Sequence, residues 1–316
     1  MTRSSSTPSH ASPLTRTWVV ALLACIACLL WGSAFSCIKI GYRLFGIENT
    51  QIPSEILFAG CRFVLAGLIA LVFGSIVNRR PVLPKRSNLA LVVKLSLFQT
   101  VLQYVFYYIG VSNASGVKSS IIGSLNTFFA ILLASLVFHQ EKLTRRKVIG
   151  CMLGIAGVVA INLTSAGFDT TMRWNGEGFV AVSALAYAMS SVLIHRYSQR
   201  EDPVALSGSQ FIFGGLVMAV VGIALGGRIP HVTPAGIAML IYLGFISGIA
   251  YSLWAMLLKW NPVSRVSIFG FMNPVFGVVL AAILLGETNV VPAWQCVLAL
   301  ALVSAGIVVV NRPARP

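Results

Sequence analysis

Residues 117–138 read VKSSIIGSLNTFFAILLASLVF, and residues 264–285 read SRVSIFGFMNPVFGVVLAAILL. Slid by 147 positions without a gap, Lys118 falls on Arg265, Ser120 on Ser267, Gly123 on Gly270, Asn126 on Asn273, Phe129 on Phe276 and Ala134 on Ala281. The same shift puts Phe98 on Phe245 and Tyr104 on Tyr251, and a shift of 148 lays Gly60–Leu68 on Gly208–Leu216. A repeat at this distance is a duplication of half the chain. Both copies of the first stretch are apolar and long enough for a membrane helix, with one basic residue near the start and one Asn further in. In a membrane chain such a duplication is the common ground plan of a transporter.

Composition agrees with a membrane setting. The chain of 316 residues is 57% apolar and 10% charged, too little charge to cover a soluble surface. Apolar runs of about 20 residues recur along it, which predicts an all-α, polytopic integral membrane protein in contact with the lipid bilayer. Nothing alternates with a period of two, so a β-barrel is not expected. A net charge of +15 would point to nucleic acid in a soluble protein. Here the excess lies mostly in loops on one side and reads as a topology signal, so no nucleic-acid partner is expected.

Ten spans are predicted, at 18–40, 54–77, 89–110, 116–138, 146–163, 178–195, 204–225, 235–257, 265–285 and 292–310. Residues 1–17 are rich in Ser, Thr and Pro and are expected as a disordered tail. With both termini cytoplasmic, the inner segments carry sixteen Lys and Arg, and the outer segments carry four: Arg43, Lys118, Arg173 and Arg228. Five spans per half then set the second half upside down relative to the first, an inverted repeat of five plus five helices. The first repeat is expected at 18–163 and the second at 176–311.

Chemistry-bearing motifs are sparse. Cys25 and Cys28 form one CxxC, but no second pair or further ligand lies near water, so all six cysteines read as small packing residues. No Walker A loop, HExxH or GxSxG is present, and neither an enzyme nor a self-sufficient ATP-driven pump is expected. No cofactor or metal is expected. The Gly150-xxx-Gly154, Gly222-xxx-Gly226 and Gly244-xxx-Gly248 patterns let helices approach closely, within the monomer or in a homodimer.

Leu30-Trp31-Gly32-Ser33-Ala34-Phe35 in the first span, Arg62-Phe63 in the second, and Glu141 and Glu287 closing the fourth and ninth spans follow in this order over about 18–311. With these motifs and the five-plus-five repeat, the chain resembles a ten-helix, EamA-type member of the drug/metabolite transporter superfamily. The resemblance implies an inner-membrane carrier, often an exporter of amino acids or other metabolites. It also implies a central cavity walled by spans one, three, four, six, eight and nine. The second half departs from the first, with Gln210 in place of Arg62 and Tyr187 roughly where Trp31 stands.

The expected substrate-binding residues are Trp31, Arg62, Gln103, Tyr104, Lys118, Asn126, Tyr251, Trp254, Arg265 and Asn273. Arg62 lies about 12 Å inside its helix, where a charge marks either a pathway or a structural pair, with Glu55 seven residues earlier as the partner. Lys118 and Arg265 stand at opposite mouths of the expected cavity, each eight residues before its Asn; the alternative for each is a side chain that snorkels to the surface. Asn126 and Asn273 need partners in hydrocarbon, either cargo or another helix. The cations have no acid in the middle of the cavity spans, which predicts a small cargo with a carboxylate. Glu141 and Glu287 read as helix caps rather than proton carriers. Pro274, whose repeat mate is Thr127, is expected to bend the ninth span. The alternatives to efflux of an amino acid or related carboxylate are a membrane scaffold without cargo and a sugar-phosphate or nucleotide-sugar carrier.

Overall fold

The structure, a computed structural model, describes residues 12–48, 51–114, 116–162, 172–285 and 292–312. Among these residues there is no strand. We number ten helices: α1 Thr17–Phe45, α2 Ile52–Asn78, α3 Arg86–Asn113, α4 Lys118–Val137, α5 Arg145–Asn162, α6 Trp174–Tyr197, α7 Pro203–Ala224, α8 Pro234–Trp260, α9 Val263–Ile283 and α10 Ala293–Asn311. Nine described helices are long and apolar enough to cross a membrane. The exception is α5. Its first turn holds Arg145, Arg146 and Lys147, and the 15 residues that remain cover only about 22 Å. The expected count of ten therefore stands at nine by this measure. Of the expected N-terminal tail, Pro13–Thr15 form a 3-10 turn and Thr17 opens α1.

Helix ends follow local chemistry. Asp202 accepts from the N–H groups of Val204 and Ala205 (2.9 and 3.0 Å) ahead of Pro203, which starts α7. Thr233 does the same for α8, accepting from Gly236 N. Gly46, at φ 68°, ends α1 in the left-handed conformation that glycine adopts without strain.

Repeat mates pack on each other. α2 lies against α7, and α5 against α10. A Cβ on Gly215 would sit 2.8 Å from the Gly60 carbonyl, and one on Gly67 would collide with the Gly208 carbonyl. Low numbers on α2 thus face high numbers on α7, so the mates run antiparallel, as an inversion requires. In α5 and α10, Gly157 faces Ala299 while Gly306 faces Gly150, again antiparallel. The other pairings also exchange between halves: α1 packs on α8 and α9, and correspondingly α6 packs on α3 and α4.

Contacts sort the connections into two ends. At one end Asn261 Nδ2 donates to Leu14 O (2.9 Å), Arg265 reaches Thr17 (2.8 Å), Lys85 N donates to Glu201 (2.9 Å) and Gln199 reaches Lys259 O (2.8 Å). At the other, His231 N donates to Phe45 O, Arg228 N to Ser54 and Asn162 to Ser120. The first set joins segments that carry most of the cations, and we call it the basic end. There Glu201 also accepts from Asn88 (2.8 Å). Burial alone would raise its pKa, but these bonds, one from Asp202 N and the nearby Lys85 charge hold it below the ordinary glutamate value.

Candidate functional site

The middle of the molecule is aromatic. Phe63 of α2 stacks on Phe211 of α7, ring centroids 5.1 Å apart and planes within 4°. These two are repeat mates. Beside them Tyr104 of α3 and Tyr251 of α8, also mates, share a hydroxyl–hydroxyl hydrogen bond of 3.0 Å. Trp31 of α1 packs edge-on against Tyr251 (4.8 Å), Trp254 (5.1 Å) and Tyr187 of α6 (6.4 Å). Duplicated residues thus meet in the middle of the bundle, and the odd pair Trp31 and Tyr187 closes its wall.

Arg62 enters this packed aromatic cluster from α2. It is 2% exposed, and its guanidinium carbon lies 4.4 Å from the Phe63 ring centroid and 5.7 Å from that of Tyr104. The hydroxyls of Tyr108, Tyr104, Tyr42 and Tyr251 are its ionisable surroundings. Among the described residues it makes no ion pair, and its buried Nε has no partner. Glu55, weighed from sequence as its structural partner, does not pair with it; about two helical turns separate them. Other buried polar atoms are also unsatisfied: Trp31 Nε1, Trp254 Nε1 and Gln103 Oε1, with Gln103 lying against Tyr251. Polar groups left without partners in hydrocarbon are costly, and here several belong to residues of one cluster.

Trp31, Arg62, Gln103, Tyr104, Tyr251 and Trp254 are thus brought together in the structure. Asn126 and Asn273 sit apart, on α4 and α9. Asn126 Oδ1 accepts from Thr127 (3.1 Å), and Thr127 also donates to Ser267 O of α9 (3.1 Å); Asn273 Oδ1 is buried without a partner. Lys118 and Arg265 lie at opposite ends. Lys118 Nζ is 3.3 Å from Glu177 Oε1 at the start of α6, so the expectation of a cation without an acid neighbour is corrected for this residue. Arg265 donates to Thr17 and Asn261 at the start of α1 and the end of α8. Each duplicated cation thus ties its own helix to the first helix of the other half. Sequence reasoning missed Phe63 and Phe211 as wall residues, although they sit inside the repeated Gly60–Leu68 and Gly208–Leu216 match. It missed Glu177 because that residue fell just outside the predicted sixth span.

The duplicated helices α4 and α9 differ in packing. In the first turns of α9, Val263, Ser264, Val266, Ser267, Ile268, Phe269 and Phe271 are all buried. In the matching part of α4, Lys118, Ser119 and Ser124 are also buried, while Ser120, Ile121, Ile122 and Gly123 are half-buried. A Cβ on Gly270 would meet Thr127 Oγ1 at 2.7 Å, whereas one on its mate Gly123 would meet nothing within 4 Å. The α4–α9 crossing is therefore tight toward the basic end and open beside Gly123. α9 also changes to a 3-10 helix over Ile268–Phe271, directly before Pro274, while α4 is regular over Gly116–Leu132. Pro274 has no N–H for the Gly270 carbonyl, which accounts for the break.

Glu141, at the end of α4, accepts from Ser264 N (3.0 Å) and Ser264 Oγ (2.6 Å) and pairs with Lys147 (3.1 Å). It is a cap, as the sequence suggested, but of α9 rather than of the helix that follows it. Glu287 lies outside the described residues. All six cysteines are free, and no cluster of three His, Cys, Asp or Glu is found among the described residues.

The EamA-like transporter family matches residues 18–163 and 174–312. The chain belongs to the EamA-like transporter family. An uncharacterised transporter of Archaeoglobus fulgidus is 27% identical over 275 residues, covering 85% of this chain and 90% of the relative. A probable amino-acid metabolite efflux pump of Salmonella typhimurium is 28% identical over 278 residues, covering 84% and 87%. Its namesake from Escherichia coli K12 is 26% identical over 277 residues, with the same coverage. A solved crystal structure superimposes with a TM-score of 0.75 at 20% identity, covering 92% of this chain and 96% of the other, and so shares the fold. This EamA-family chain is accordingly a multi-pass membrane transporter of small molecules.

Proposed function

We propose that the protein is a secondary transporter that exports an amino acid or a related carboxylate across the cytoplasmic membrane, with both termini inside. The observation that carries this reading is Arg62, a buried cation in an aromatic cluster with no acid partner among the described residues. A lone charge at membrane depth costs about 2.5–3.5 kcal/mol on insertion scales. A carboxylate cargo offsets that cost through a charge-assisted, two-pronged contact with the guanidinium. The unpaired indole N–H groups of Trp31 and Trp254 and the amide oxygen of Gln103 supply further partners, and the rings of Tyr104 and Tyr251 supply apolar walls. Lys118, engaged by Glu177, drops out as the first receiver of the cargo's charge. The names of the Salmonella and Escherichia relatives favour an amino-acid metabolite, and the inverted halves favour alternating access. The cation-rich segments at the basic end favour a cytoplasmic setting for that end by the positive-inside rule.

The test is counterflow in liposomes with the purified protein and a panel of amino acids, organic acids and lipophilic cations. Carboxylates are expected to exchange, and Arg62→Gln to lose at least about tenfold in rate, the loss expected for one charged hydrogen bond. Normal carboxylate exchange by Arg62→Gln, or competition by lipophilic cations alone, overturns the proposal. No exchange of any solute would favour a scaffold.

A further inference from the structure

The contact between Glu141 and the start of α9 crosses between the two halves beside the α4–α9 crossing, whose packing differs at the mates Gly123 and Gly270. Glu141 belongs to the first half and leaves α4; Ser264 belongs to the second half and opens α9. The carboxylate takes the backbone N–H of Ser264 at 3.0 Å and its hydroxyl at 2.6 Å, and Lys147 at 3.1 Å completes its coordination. The Glu141 side chain is 9% exposed and that of Lys147 14%. Its bond to the first turn of α9 is favoured by the helix dipole, because an anion there meets free N–H groups. One turn further in, Thr127 of α4 donates to Ser267 O of α9, and Gly270 closes on Thr127. These contacts form a file along the α4–α9 crossing, with Glu141 at its outermost point. Past Gly270 the file ends, and the mate position Gly123 borders open space.

We propose that Glu141 is a positioning residue for the transport cycle: it latches the basic-end gate by capping α9 across the halves. While the cap is made, the first turns of α9 stay buried against α4 and the crossing stays open beside Gly123. When the cap breaks, α9 leaves α4 at the basic end, and by the inverted symmetry of the halves α4 closes at the other. The Oγ bond and the N–H bond act on the same carboxylate, so Ser264 is the receiving half of the latch. Lys147 orients the carboxylate from α5 and does not itself touch α9. The inference rests on the alternating-access reading but is independent of what the cargo is.

Two reporter cysteines read the two ends. Ser267→Cys is buried behind the latch, and Gly123→Cys fits its open space without a clash. Each is placed in the parent chain and in Glu141→Ala, Glu141→Gln and Ser264→Ala chains. The purified proteins are held in lipid nanodiscs, which leave both ends accessible. The labelling rate with a membrane-impermeant maleimide is measured, less that of the same chain without the reporter. Loss of a charged hydrogen bond at the cap predicts about a tenfold rise at Ser267→Cys in Glu141→Ala. Glu141→Gln and Ser264→Ala should rise less, because the first retains a neutral bond and the second retains the carboxylate's bond to the backbone N–H of residue 264. Labelling at Gly123→Cys should fall in the same variants and in the same order. A rise at both reporters means that Glu141 only stiffens the packing, and overturns the proposal. Unchanged rates at both reporters in all three variants overturn it too. If Glu141→Ala does not fold, the milder pair decides alone. The cargo test fails or succeeds separately, since labelling needs no cargo.

Discussion

Among the repeat mates that pack on each other, the pair α2 with α7 and the pair α4 with α9 cross differently. In the first pair the mates are interchangeable. Gly60 faces Gly215, Gly67 faces Gly208, and Phe63 stacks on Phe211, so exchanging the halves leaves the contact much the same. In the second pair the symmetry is broken. Gly270 is shut against Thr127, and Gly123 faces open space. A contact that survives exchange of the halves can stay fixed while an inverted-repeat carrier changes state. A contact that does not survive it must be remade on the other side. The difference assigns the rigid axis to α2–α7 and the moving crossing to α4–α9, within the alternating-access reading.

Three experiments break or sharpen that contrast. The largest effect is expected at the axis. Gly67→Ile drives a branched side chain into the Gly208 carbonyl and Ile212, where backbone cannot yield. The cost should exceed the roughly 3 kcal/mol that marks the upper end of ordinary overpacking. Little monodisperse protein should be recovered by size-exclusion chromatography; recovery at parent levels would mean that the axis is looser than its glycines indicate.

The next effect separates the duplicated cations. Lys118→Met leaves the Glu177 carboxylate without its Lys118 partner, with Arg173 N still donating to it at 2.8 Å, and should lower the unfolding midpoint in detergent by more than Arg265→Met does. Arg265→Met removes bonds to the neutral Thr17 and Asn261, and should cost about 1 kcal/mol. Equal losses would show that the two ends are tied alike. Restoring stability to Lys118→Met by adding Glu177→Leu would identify the stranded carboxylate as the cause.

The smallest effect compares the mates on the moving crossing. Gly123→Ala adds a methyl to open space and gains helix propensity, up to about 1 kcal/mol in favour of the folded chain. Gly270→Ala sets the same methyl 2.7 Å from Thr127 Oγ1, and should lose about as much. Melting temperatures that move in opposite directions support the unequal crossing; shifts of one sign count against it.

Much of the fold was legible in the residues. Apolar runs gave nearly all the helices, and the repeated Gly60 to Leu68 pattern marked both partners of the axis. The weak point was α5. Arg145, Arg146 and Lys147 belong to its first turn, and a run read by hydropathy alone cannot tell a cationic first turn from a loop. The site was half legible. Trp31, Tyr104 and Tyr251 were singled out because they lie on predicted cavity helices or recur in the repeat, and Arg62 because a charge so deep in a span marks a pathway or a pair. The pairing of Lys118 with Glu177 was hidden, because the two are 59 positions apart and nothing in either segment specifies which helix starts meet.

By itself the sequence determined a membrane protein and carried the repeat and the charge bias from which an orientation is proposed, because hydropathy, residue identity at a fixed shift and loop charge are properties of segments. It also supplied the chemistry of the cluster, since side-chain type does not depend on packing. Only the tertiary structure decided which mates touch, which cation is neutralised and which end of the α4–α9 crossing is shut. Glu141 shows why. As a residue it is an acid after an apolar helix, with basic residues close behind it. That its carboxylate caps α9 of the other half depends on two antiparallel halves bringing residues 123 positions apart to within 2.6 Å, and no local pattern encodes that distance.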